Sequence, residues 1–151
     1  MDLHPYDDVT RIFTHQDADQ RPGLELVNGL LGGQLPPSPR GLTYRLSYYS
    51  GGVGVIDNLS VTLDADRALF DRVVKSLELI SWAEAQTDDE VRWWLDVEDH
   101  QGPDQALAAF LAGLGIAGAQ ETWFDSISGV NAWSVVVWTG SVMHLRAYDQ
   151  G

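Results

Sequence analysis

The sequence predicts an α+β domain: a mostly antiparallel β-sheet of about six strands, with two amphipathic helices packed on one face. Three observations predict it. Several stretches alternate apolar and polar residues with the two-residue period of a strand, and turn residues separate them. Two other segments carry their apolar residues at the 3.6-residue spacing of a helix. The order of these segments is neither regular strand–helix alternation nor all-β, which leaves an antiparallel sheet with helices to one side. A length of 151 residues is that of a single domain spanning 1–151.

Residues 1–41 are the less regular part. "DDVTRIF" fits a short strand with Val9, Ile12 and Phe13 as its apolar content. "GLELVNGLLGG" sets Leu24, Val27, Leu30 and Leu31 at helical spacing, with Gly32 and Gly33 as a stop. "QLPPSPRG" holds Pro36, Pro37 and Pro39 and continues neither a helix nor a central strand.

From residue 42 the pattern sharpens. Leu42, Tyr44, Leu46 and Tyr48 alternate with Thr43, Arg45, Ser47 and Tyr49 in a strand. "SGG" at 50–52 suits a hairpin, and "VGVIDNLSVTL" returns with Leu59, Val61 and Leu63 on one side. Asp64 is placed to cap a helix over 65–80, whose stripe is Leu69, Phe70, Val73, Val74, Leu77 and Ile80. "EVRWWLDV" reads as a third strand. A second helix begins at Pro103, buries Leu107, Phe110, Leu111 and Leu114, and ends at Gly115. "IAGAQETWF", "AWSVVVWTG" and "SVMHLRAY" close the chain as strands, the last two joined by the short turn "TGS".

Charge is the global anomaly. Nine basic residues, Lys75 the one lysine among them, stand against 22 acidic ones, for a net charge of −13. A field of that sign repels nucleic acid and anionic membrane and attracts basic surfaces. A composition rich in Asp, Gly, Ala and Arg also fits a genome-wide bias. The absence of cysteine excludes disulfides, thiolate metal sites and a Cys nucleophile, and fits the reducing cytoplasm. The first residues lack the basic and apolar regions of a signal peptide, and no apolar run approaches the ~18 residues that span a bilayer. A cytoplasmic protein that binds neither membrane nor nucleic acid directly is expected.

No motif forces one chemistry. Gly51, Gly52 and Gly54 lead into a strand rather than a helix, so they read as hairpin residues and not as a phosphate cradle. His4, His15, His100 and His144 lack metal-ligand spacing, and neither a metal nor a cofactor is expected. Glu98, Asp99 and His100 are adjacent on the predicted strand end, where successive side chains diverge, and read as a solvated turn.

Three places remain. In "TDDEVRWWLDVEDH", a strand would turn Val91, Trp93, Leu95 and Val97 to the core. Arg92, Trp94, Asp96 and Glu98 would then face the other way, with Asp88, Asp89 and Glu90 at one end and Asp99 at the other. Trp94 is then an aromatic anchor in an acidic rim, the pattern of a surface that takes a basic protein. In "ETWFDSISGVNAW", Glu121 and Asp125 are candidate catalytic carboxylates, beside Trp123, Ser126 and Asn131 as ligand contacts. On the last strand, His144 and Arg146 share a face fit to hold an anion.

The leading expectation is a non-enzymatic acidic inhibitor of the immunity or anti-defence type. It would cover a basic nucleic-acid-binding or active-site surface of a target protein. The alternative is a small transferase or hydrolase acting on a nucleotide-like or glycosidic ligand through the 120–133 loop. A third is a subunit whose apolar sheet face a partner covers.

Overall fold

The computed structural model describes residues 9–14, 21–51, 54–125 and 132–150. The fold is α+β, as the alternation and helical stripes predict. The described residues form seven strands, β1 (Val9–Thr14), β2 (Thr43–Gly51), β3 (Gly54–Asp64), β4 (Ile80–Ser81), β5 (Glu121–Phe124), β6 (Ala132–Trp138) and β7 (Val142–Gln150). They form one sheet in the order β1-β2-β3-β7-β6-β5-β4, and every neighbouring pair is antiparallel. Two meanders, β1–β3 and β4–β7, are joined where β3 pairs β7.

The helices are α1 (Arg21–Leu30), α2 (Arg67–Ser76), α3 (Trp82–Ala85), α4 (Asp89–Trp94) and α5 (Pro103–Gly113), with a 3₁₀ turn at Val97–Asp99. The sequence puts two helices on one face; the structure sets α2 and α5 on opposite faces. The alternation along β6 makes the division. Val136 and Trp138 pack with Val27 of α1, Leu31 just after it, and Leu69, Phe70 and Val73 of α2. Val135 and Val137 point the other way, to Ala85, Val91, Leu95, Ala106 and Leu111 of the α3–α5 layer. The connections explain it. The segment holding α2 carries the chain from β3 to β4 across one face, and residues 82–113 carry it from β4 to β5 across the other.

Local chemistry fixes several boundaries. Asp64 is still paired to Val142 in β3, so it is Asp66 that caps α2, accepting from the Leu69 N–H at 2.8 Å. The helix stops at Ser76, earlier than its apolar stripe suggests. Glu78 turns the backbone at φ 54°, and Ile80 joins the sheet opposite Phe124. Gly32, at φ 67°, ends α1 against α2: its carbonyl accepts from Ser76 Oγ at 2.6 Å, and a Cβ there would run into the Ser76 side chain.

The largest departure is "EVRWWLDV", which is helical. Asp88 accepts from the Glu90 and Val91 N–H groups at 3.0 and 3.1 Å and starts α4. Asp89 and Glu90 fill its first turn, where carboxylates complement the helix dipole. Asp96 then adopts φ 55° and leads into the 3₁₀ turn. Among the described residues, no helix is long and apolar enough to cross a membrane.

Candidate functional site

The change from strand to helix rearranges the predicted acidic site. With a 3.6-residue period, Val91, Trp94 and Leu95 turn inward together. Val91 and Leu95 are buried, and half-buried Trp94 meets the rings of Phe110 and Phe124 at 5.3 and 5.7 Å. Trp93, which a strand would bury, points out and is 59% exposed, the one large hydrophobic side chain so exposed among the described residues. Asp89 and Glu90 lie one turn before it on the same side of α4, and exposed Asp96 follows within three residues.

The other predicted members of this site have structural partners. Asp88 is the cap of α4. Arg92 ties the segment together, donating to the Gln86 carbonyl at 3.0 Å and reaching Glu98 at 3.4 Å. The Glu98 side chain remains 90% exposed, so this pair adds little stability and leaves the carboxylate at the surface. Glu98, Asp99 and His100 do not converge: His100 Nδ1 lies 2.8 Å from the Asp96 carbonyl oxygen, bracing the turn. The segment 81–104 holds eight carboxylates against one arginine, a net −7 of the chain's −13. Because the helices of this segment form one layer, the charge is gathered on one surface.

The 121–133 candidates are only partly brought together. Glu121 is ion-paired to Arg67, with a second contact between its Oε1 and Arg67 Nη2 at 3.4 Å, and Trp123 Nε1 donates to Oε1 at 3.1 Å. Arg67 in turn sits over the Trp138 ring, 5.2 Å from its centroid. The carboxylate is therefore held and its charge balanced. A cavity of about 330 Å³ opens beside it, lined by Trp82, Leu107, Leu111, Gln120 and Trp123 among others. Asp125 donates its backbone N–H to the Ser134 carbonyl at 3.0 Å; its side chain lies by a separate space near Leu79, Leu145 and Ala147. Ser126 and Asn131 lie outside the described residues.

His144 and Arg146 do share a face of β7, on the side where none of the described helices covers β2, β3 and β7. Arg146 donates to the carbonyls of Leu145 and Val61 at 2.9 and 3.1 Å and to Thr62 Oγ1 at 3.4 Å. His144 Nδ1 lies 3.0 Å from Thr62 Oγ1. Burial, and then the Arg146 charge, push the His144 pKa below the usual histidine value; burial also lowers that of Arg146. No group of three or more His, Asp or Glu side chains among the described residues is placed to hold a metal ion.

Trp93 is the residue that sequence reasoning missed, and a signal was present. Asp88 before a Val91–Leu95 spacing of four is a helix start, and on that reading Trp93 faces out. No protein-family model, curated protein or solved structure matches the chain.

Proposed function

We propose that the protein is a non-enzymatic acidic inhibitor of the immunity or anti-defence type. In this reading the layer α3–α5 covers a basic nucleic-acid-binding or active-site surface of a target protein. The observation that carries it is Trp93: a tryptophan 59% exposed at the end of α4, in a segment whose other large apolar side chains are buried or half-buried. Leaving an indole in water forgoes burial that the adjacent Trp94 achieves, which a later interface would recover. The carboxylates around it steer a basic partner and exclude acidic ones.

The test is capture on the immobilised protein from a nuclease-treated lysate of its host or target cell, with elution in salt steps. The expected result is one basic protein, released at moderate salt and inhibited in its own activity by the purified chain. Capture should be lost with Trp93→Ala and weakened with Asp89→Asn plus Glu90→Gln. Capture indifferent to Trp93→Ala, or of no basic protein, would sink the proposal.

A second reading is favoured by the cavity beside Glu121, whose walls include Trp82 and Trp123. A small enzyme acting on a nucleotide-like or glycosidic ligand would stack the ligand there and use Glu121. It requires ligand binding to compete with Arg67, so Glu121→Gln would abolish turnover while leaving the fold intact.

A further inference from the structure

The bare half of the sheet carries a second surface, separate from the acidic layer. Strand register sets Arg45 directly opposite Ser60, and Ser60 directly opposite Arg146. Beside this row runs Thr43–Thr62–His144. Adjacent strands are about 4.8 Å apart, so the two arginine backbones stand roughly 10 Å apart with the Ser60 position midway. In these two rows every side chain on β2, β3 and β7 is a hydroxyl or a nitrogen base, and none is a carboxylate.

That composition is unusual for this chain. Acidic residues outnumber basic ones by 22 to nine, yet neither Arg45 nor Arg146 has a carboxylate partner among the described residues. Arg146 is half-buried and satisfied only by carbonyls, the Thr62 hydroxyl and the His144 ring; its Nε–H has no acceptor among the described residues. A partly desolvated guanidinium is costly unless a counter-charge arrives. Arg45 is exposed and stands opposite Ser60 on the other neighbouring strand.

We infer that this row is a binding site for a phosphate-type oxyanion, seated over Ser60 between the guanidinium groups of Arg45 and Arg146. A tetrahedral group offers acceptors in several directions, which suits the Arg45 guanidinium on one side, the Arg146 Nε–H on the other and a hydroxyl beneath. A planar carboxylate satisfies one fork. The ligand is a small phosphorylated molecule or free phosphate. The site lies on a different surface from Trp93 and does not depend on the inhibitor reading.

The experiment is a titration of the full chain with pyrophosphate and, separately, inorganic phosphate in low-chloride buffer. It is followed by amide chemical shifts and calorimetry. Saturable one-to-one binding is expected, with shifts confined to residues 43–45, 60–62 and 144–146. Arg45→Gln, at an exposed position that holds no part of the fold, should weaken binding about tenfold, as loss of one charge-assisted contact does. Ser60→Ala should weaken it less, and Arg146→Lys should retain charge but lose the Nε–H donor and weaken it more than Ser60→Ala. Tighter binding of pyrophosphate than of phosphate would point to a phosphorylated molecule; equal binding would point to phosphate itself. No saturable binding, or binding unchanged in Arg45→Gln, overturns the site. Sedimentation that shows concentration-dependent association reversed by Arg45→Gln would assign the face to the acidic layer of a second copy and likewise overturn it.

Discussion

The helical layer over β4–β6 and the bare sheet over β2, β3 and β7 share one face of one sheet and differ in what each allows to approach. The first buries Val135, Val137 and Phe124 under α3–α5 and turns carboxylates and Trp93 outward. The second leaves Thr43 and Arg45 exposed and Ser60, Thr62, His144 and Arg146 half-buried, with no described helix above them. Each region excludes the charge the other displays. A net charge of −13 over the whole chain therefore describes neither of these two surfaces. The difference is made by connectivity: residues 82–113 must cross from β4 to its neighbour β5, and they cover the sheet only where they cross.

The covered half is most sensitive at its core. Phe124 is fully buried, and its ring lies 5.6 Å from Trp82 and 5.7 Å from Trp94. Phe124→Ala should cost about 3–5 kcal/mol in urea denaturation. Hydrogen-exchange protection should fall first in 82–113, while α1 and α2 on the other face keep theirs. Uniform loss of protection would mean that the two faces unfold as one unit.

The adjacent tryptophans come next. Trp94→Ala should cost about 2–3 kcal/mol, less than a fully buried ring because Trp94 is half-buried. Trp93→Ala should change stability by no more than about 0.5 kcal/mol, since its ring is already in water. The alternating pattern of a strand requires the reverse order, so the pair of melts decides the local structure as well as the location of the docking surface. Asp88→Ala follows at about 1 kcal/mol, the cost of a lost helix cap. It should also quench the fluorescence difference between wild type and Trp93→Ala, because α4 is too short to hold its last turn without the cap.

These variants mark where the sequence was legible. The hairpin β6–β7, the strands β2 and β3 and the helix α2 declare themselves through long, unmixed periods; Leu69, Phe70 and Val73 admit no strand reading. Between 91 and 97, Val91, Trp93, Leu95 and Val97 fit a period of two as well as Val91, Trp94 and Leu95 fit a helix. Six helical residues are too few for periodicity to arbitrate. The cap at Asp88 was the deciding local signal. The face on which each helix lies was not legible, because it depends on which edge of the sheet the following strand joins. Nor was the row of Arg45, Ser60 and Arg146, whose members are 15 and 86 positions apart and meet only through strand register. His144 and Arg146 were visible as a pair on one face because two residues along a strand always share a side.

The smallest expected effect lies on the half that no described helix covers. His144 faces Thr62 on β3 and Val137 on β6, with Arg146 on its own strand, and no carboxylate stands at those positions. Its pKa is lowered by burial and by Arg146, so the folded chain resists a proton that the unfolded chain accepts near the ordinary value of 6.5. Stability from this residue is therefore complete above that value and falls as pH drops through it, until the lowered folded-state pKa is reached. Below that point the loss is constant. Urea midpoints from pH 7.5 to 5 should decline more in the wild type than in His144→Gln, and the difference between the two curves isolates this histidine from the carboxylates. Saturating pyrophosphate should shrink that difference, because an anion over Ser60 favours the protonated ring and opposes the Arg146 charge. A difference that persists with the anion present would mean that the ligand, if bound, does not reach the His144 end of the face. A difference of zero without it would mean that His144 is solvated like any surface histidine, and that the bare half is wetter than its hydrogen bonds to Thr62 imply.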